Sequence, residues 1–300
     1  MRLSTSQIFQ QAVTSMLKTQ SDVSKTQLQL STGKQILTPS DDPAAATRIL
    51  DLNQVIETTD QFQRNADFAE TRLSIEESVL SEVGDLLQRV RDLAVQANNA
   101  TLSASDRQAL AAEVRGSLDG LIQMANSQDA SGEYIFAGFK TDTRPFSDDG
   151  SGNFSYAGDQ GQRNLQIGAT RQVPVGDSGA EVFMKIDDGA GGIASMFDTI
   201  HEFAVDLEAN SPSGTTLTRL DSALDAVLNT RAKVGSRLNS IDSQRNANDS
   251  FSLLLQENRS NLEDLDYAEA VSRFEQQILA LQASQQSFVK IQGLSLFNFL

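Results

Sequence analysis

The chain has 300 residues, 39% of them hydrophobic, and a formal net charge of −16 at pH 7. It contains no cysteine, no tryptophan and one histidine, which excludes disulfides, zinc fingers, thiol nucleophiles and any histidine-dependent triad not built on His201. The acidic balance argues against nucleic acid or an anionic membrane as partner, and low apolar content joined to a helical repeat points to an elongated, mainly α-helical molecule.

The opening Met1-Arg2-Leu3-Ser4-Thr5-Ser6-Gln7 lacks the apolar core of a secretory signal peptide, and no stretch reaches the apolar length of a membrane span. The chain is therefore expected in the cytosol, or it leaves by a route that needs no such signal. Residues 1–40 carry an apolar stripe at coiled-coil spacing, Phe9, Val13, Met16, Val23 and Leu30, with Gln20 and Gln27 placed in the seam. Arg2, Lys18, Lys25 and Lys34 stand there against Asp22 alone, a net of +3.

A hinge follows. Gly33 is the expected stop of the first helix, because glycine takes the left-handed conformation without a Cβ clash. Pro39 forbids continuation, Ser40, Asp41 and Asp42 offer side-chain oxygens to the free amides of the next helix, and Pro43 suits its first turn. Adjacent carboxylates also suit a metal or an acid–base pair, but no histidine or cysteine lies near them, so capping is preferred.

The next helix runs from Pro43 to about Asn98, with the 3,4 cadence landing on Leu52, Val55, Thr59, Phe62, Ala66, Ala69, Leu73, Glu76, Leu80, Val83, Leu87, Val90, Ala94 and Ala97. Only Thr59 and Glu76 interrupt the apolar seam. Gly84 inside it marks a place of close approach. Ser105-Asp106-Arg107-Gln108 reads as a capping box opening a helix to about Ser127, with Leu110, Val114, Leu118, Leu121 and Ile122 on its apolar face.

Twelve of the nineteen glycines fall between Gly132 and Gly192, among short alternating runs: Phe154–Tyr156, Leu165–Ile167, Val173–Val175 and Val182–Ile186. These predict brief strands in a β-rich insertion. Asp148-Asp149-Gly150 and Asp187-Asp188-Gly189 read as turns, since neither has the ligand spacing of a calcium loop. A short helix is expected near Ile193 to Ala209, carrying His201 as a partly exposed residue. From Thr215 the helical pattern resumes, weakens across Asp242–Ser250 and returns at Leu255.

The last helix places Tyr267, Val271, Phe274, Ile278, Leu281 and Phe288 at coiled-coil spacing, with Gln285 in the seam. Residues 271–300 carry a net of +1. Apolar stripes with polar seam residues and little charge suit two helices that order when buried among copies of the same chain; an ordinary intramolecular pair is the alternative. The expected organisation is therefore terminal assembly helices at 1–40 and 265–300, a helical rod at 41–132 and 205–264, and the insertion at 133–204. No catalytic residue, cofactor or metal ligand is expected.

Leu30-Ser31-Thr32-Gly33-Lys34 through Ser40-Asp41-Asp42 resembles the N-terminal signature of the flagellin superfamily. Val90–Ala97 is similar to its middle helix, and Leu262-Glu263-Asp264-Leu265-Asp266-Tyr267-Ala268 with Gln277-Ile278-Leu279 is similar to its C-terminal helix. Met1–Thr5, the Pro39–Pro43 form of the hinge and Tyr134–Phe146 look more like the hook-associated branch than the filament flagellins, which have Ala and Gly after the Asp pair where this chain has Pro43 and Ala44. The resemblance implies a flagellin-like rod of antiparallel helices with an outward β domain, export through the flagellar type III channel, and assembly with its own copies at the junction of hook and filament. It also implies another hook-associated protein on the hook side, flagellin or the filament cap distally, and an export chaperone. A filament flagellin and a cytoplasmic signalling coiled coil are the other readings; the second leaves the insertion and the uncharged ends without a reason.

Overall fold

The computed structural model describes residues 5–99, 101–189 and 191–297. The chain forms two units, Met1–Thr58 with Phe251–Leu300, and Thr59–Ser250. Two long helices, α2 (Pro43–Ala97) and α6 (Thr215–Glu263), contribute to both.

The larger unit holds the apolar core. From Thr59 onward the stripe of α2 buries as its spacing predicts: Ala66, Ala69, Leu73, Leu80, Val83, Leu87, Val90, Ala94 and Ala97 are inside, and so are the two interruptions, Thr59 and Glu76, while Phe62 is half-buried. Before it the cadence slips: Leu52 is half-buried, Val55 is exposed, and the adjacent Ile56 is buried instead. α6 runs antiparallel to α2, as the pairs Arg91–Asp221 (2.6 Å), Arg231–Glu77 (2.7 Å) and Arg245–Glu70 establish. A Cβ on Gly84 would sit 3.9 Å from Val227, an ordinary contact, so the close approach expected there is absent. α6 is continuous through Asp242–Ser250, where its side chains meet polar partners instead of a core. Asn248 donates to the Ile167 carbonyl at 2.9 Å, and Arg245 lies 3.0 Å from Asp67.

α3 (Ala104–Ala125) packs along α5 (Met196–Glu208), joining Leu110, Val114, Leu118 and Leu121 to the core that contains Ile200, Phe203 and Leu207. Its capping box begins at Ser103, not Ser105: Ser103 Oγ accepts the Asp106 N–H at 3.2 Å, and Asp106 accepts the Ser103 N–H at 3.0 Å. Aspartate fills the place usually held by Glu or Gln, which is why Ser105 with Gln108 looked the better match.

Between α3 and α5 the insertion consists of three antiparallel two-stranded ribbons among the described residues: β1 (Phe146–Asp148) with β2 (Phe154–Tyr156), β3 (Asn164–Gln166) with β4 (Gln172–Pro174), and β5 (Ile186–Asp187) with β6 (Ile193–Ala194). Both Asp-Asp-Gly tripeptides are turns; the Asp148 carboxylate accepts the Gly150 N–H and that of Asp187 the Gly189 N–H. Val182–Ile186 is not a strand. Its first residues belong to the short helix α4 (Gly179–Phe183), and only Ile186 enters a ribbon. Helix places both Val182 and Phe183 inside, whereas strand alternation would have sent one of them outward. The ring of Phe146 lies 5.0 Å from Phe197, 5.1 Å from Tyr156 and 5.5 Å from Phe183, so the small ribbons surround an aromatic centre. His201 is partly exposed on α5, 6.0 Å from Phe154.

Candidate functional site

The smaller unit contains both terminal helices, α1 (Thr5–Thr32) and α7 (Tyr267–Phe297), with the start of α2 and the end of α6. Two bends lie side by side in it. At the first, Gly33 has φ +69° and donates to the Gln29 carbonyl at 2.8 Å, closing α1 as expected. At the second, α6 gives way to α7, where the Asp266 carboxylate caps the N–H groups of Ala268 and Glu269. The bends are stitched by backbone: Leu265 N–H donates to the Gly33 carbonyl at 2.9 Å and Gln35 N–H to the Glu263 carbonyl at 2.7 Å. Lys34 pairs with Glu263, and Gln29 donates to the Gln35 carbonyl at 2.6 Å.

The hinge residues divide their labour differently from the expectation that all three polar side chains cap the next helix. Asp42 alone does so, accepting from Ala44 and Ala45, each at 3.0 Å, with Pro43 in the first turn. Asp41 instead closes the turn before it, accepting from Leu37 and Thr38 at 3.1 and 3.0 Å, and takes Lys25 of α1 at 2.5 Å. Lys25, with the Thr38 and Leu37 amides, lowers the Asp41 carboxyl to about 2. Ser40 meets Thr38 Oγ1 at 2.8 Å, and Pro39 lies within the same turn.

α1 and α7 pack against each other, antiparallel: Phe9 meets Phe288 at one end with ring centroids 5.1 Å apart, and Gly33 meets Leu265 at the other. Val13, Met16, Val23 and Leu30 on α1, and Phe274, Ile278, Leu281 and Phe288 on α7, are half-buried. Gln20, Gln27 and Gln285, expected in the seam, are exposed; the less exposed polar positions are Thr19, Thr26 and Gln29 on α1, and Gln277 and Ser284 on α7. A strict seven-residue cadence drifts against the 3.6-residue turn, and on α1 it slips by one position at each glutamine.

This pair is poorly enclosed. Among the described residues, none of α1 or α7 belongs to the apolar core, and the buried side chains on them are Thr26, Gln29 and Ala270. Gln277 Oε1 is shut from solvent without a hydrogen-bond partner. Meanwhile Leu17, Leu28, Val271, Leu279 and Val289 point outward, with Leu279 65% and Val289 66% exposed. On neighbouring segments Leu50, Leu253 and Leu254 are exposed as well. Val271 and Tyr267 were expected in the seam and are exposed instead; reading a single stripe per helix missed the others. The available signal was their spacing by whole turns, Leu17 with Leu28 and Val271 with Val289.

Among the described residues no group of acidic, histidine or cysteine side chains is placed to hold a metal, and no helix is long and apolar enough to cross a membrane. Residues 3–141 match the bacterial flagellin N-terminal helical region, and residues 217–300 match the bacterial flagellin C-terminal helical region. The chain belongs to the flagellin family. Within it, the chain is 34% identical to the flagellar hook-associated protein 3 of Escherichia coli strain K12, over 99% of both chains, and it is a member of that hook-associated branch. Flagellin of Bacillus subtilis strain 168 is 28% identical over 85% of this chain and 84% of its own. The crystal structure of the flagellar junction protein from Legionella pneumophila has the same fold, with a TM-score of 0.63 covering 72% of this chain and 99% of that one at 22% identity.

Proposed function

We propose that this protein is a structural, non-enzymatic subunit of the bacterial flagellum, seated between hook and filament, and that α1 and α7 are the surfaces through which its copies assemble. The observation that carries this reading is the incomplete burial of the terminal pair. Two helices alone leave most of each circumference in water, and such a pair is marginal without further layers. Here the outward faces present Leu17, Leu28, Val271, Leu279 and Val289, and the local charge is close to zero, so enclosure by neighbours removes apolar surface from water with little desolvation of ions.

On this reading residues 1–40 and 265–300 form the inner layer and order on assembly, residues 41–132 and 205–264 form the rod, and the 133–204 insertion faces outward. The chain leaves the cell through the flagellar export channel without a cleavable signal, accompanied beforehand by a chaperone. Copies of itself surround it laterally; another hook-associated protein lies on the hook side, and flagellin or the filament cap on the other. The absence of cysteine suits passage as an unfolded chain.

A deletion strain tests the position: hooks without filaments, and flagellin shed into the medium, are expected, whereas normal filaments overturn it. Substitution tests the surface. Leu279→Asp places a charge on the outward face and is expected to stop incorporation while leaving unfolding of the lone chain unchanged; Ile278→Asp, in the seam, also separates α1 from α7. Incorporation of Leu279→Asp at wild-type level would defeat the assignment. So would strong amide protection of both ends in a verified monomer.

A further inference from the structure

Glu76 stands in the apolar stripe of α2 between Leu73 and Leu80 and is 0% exposed. Its Oε1 accepts the Asp177 N–H at 3.1 Å, while its Oε2 is enclosed without a hydrogen-bond partner. Asp177 belongs to the loop between β4 and α4, so this bond ties that loop to the long helix, beside the tie from Asn65 of α2 to the Gln166 carbonyl at 2.8 Å. The Asp177 carboxylate is held in turn by Arg237 of α6, through two bonds of 2.8 and 2.9 Å, and by Gln162 at 2.8 Å. A single turn of loop thus joins α2, α6 and the insertion.

The charges around Glu76 balance without it. Those facing it are Arg72 on its own helix, Asp177 on the loop and Arg237 on α6. Arg237 is matched by Asp177. Arg72 is engaged by Asp129 at 3.0 Å and Glu133 at 2.9 Å, and Arg163 lies 3.6 Å from that same Glu133. An ionised Glu76 would therefore be one enclosed negative charge beyond the local cations, beside a second carboxylate. A neutral Glu76 leaves only an unsatisfied hydroxyl, which is the lesser penalty.

We propose that Glu76 is a proton-dependent latch: as the neutral acid it lets α2, the Asp177 loop and α6 close on one another, and on losing its proton to solvent it loosens that loop from both helices. The device lies in the larger unit and acts independently of the terminal helices and of flagellar assembly. It makes the insertion's hold tighter in acidic surroundings and slacker in alkaline ones.

The direction follows from linkage. Burial, with the Asp177 carboxylate adding to it and Arg237 opposing, pushes the Glu76 carboxyl from its ordinary value of 4.5 up to about 8. The folded chain then binds the proton more tightly than the unfolded one. The stabilisation is complete below 4.5, declines as pH rises and is gone above about 8.

Glu76→Gln in the full chain tests this, because the amide keeps an oxygen for the Asp177 N–H and cannot ionise. Denaturant unfolding of both proteins across the window is expected to show the wild-type folding equilibrium falling, relative to the variant, by up to about tenfold per pH unit. Equal pH dependence in the two proteins overturns the proposal. A second readout needs no variant: protection of the Asp177 amide in the wild type, corrected for intrinsic exchange, is expected to fall across the same window. Protection that does not change with pH overturns it equally.

Discussion

At the scale of single residues, glycines separate backbone necessity from tolerance. A side chain at Gly33 would be forced into left-handed backbone and would place its Cβ 2.9 Å from the Tyr267 hydroxyl, at the point where the bends are stitched. Gly33→Ala is expected to destabilise the smaller unit by about 1–2 kcal/mol, measurable as lost amide protection at Gln35 and Leu265 in the assembled protein. Gly116 and Gly235 lie inside α3 and α6 with nothing within 4 Å of an added Cβ. Each Gly→Ala there is expected to stabilise the lone chain by about 0.5–1 kcal/mol in denaturant unfolding. A fall in stability would mean those helix faces are closer to their neighbours than described.

At the scale of elements, helices were legible from sequence wherever a long apolar cadence met a cap. α2 and α3 end within a residue or two of their expected bounds, and Asp42, Pro43 and Gly33 stand at the helix ends their chemistry suits. Short elements were not. Val182–Ile186 has too few residues for period two to be told from the first turn of a helix, and tertiary packing on Phe136 and Phe146 decided for α4. The seam of α1 and α7 was legible in most of its apolar members, Phe9, Tyr267 and Val271 being exposed, but not in its polar ones, because each position of drift exchanges a glutamine for a neighbouring threonine or serine. The hidden ties of the Asp177 loop had no local signal; Glu76, Asp177 and Arg237 come from three distant segments and are joined only by the fold.

At the scale of the whole chain, the two units have unlike interiors. The larger carries fully enclosed Leu73, Leu80, Leu87, Phe197 and Phe203, while α1 and α7 of the smaller contribute no large enclosed side chain among the described residues. Leu87→Ala should therefore cost about 2–5 kcal/mol of unfolding free energy, and Met16→Ala in the lone chain about 1 kcal/mol or less. Comparable losses would indicate that the terminal pair is already sealed before assembly.

The backbone stitches from Gly33 to Leu265 and from Gln35 to Glu263 join regions far apart along the polypeptide. During synthesis α1 emerges long before α7, its mate. Throughout that interval Val13, Met16, Val23 and Leu30 have no opposite strand of the zipper to meet. A nascent or prematurely terminated product therefore displays a bare adhesive edge, and a nonsense codon near the end does as much harm to the first helix as to the one it removes.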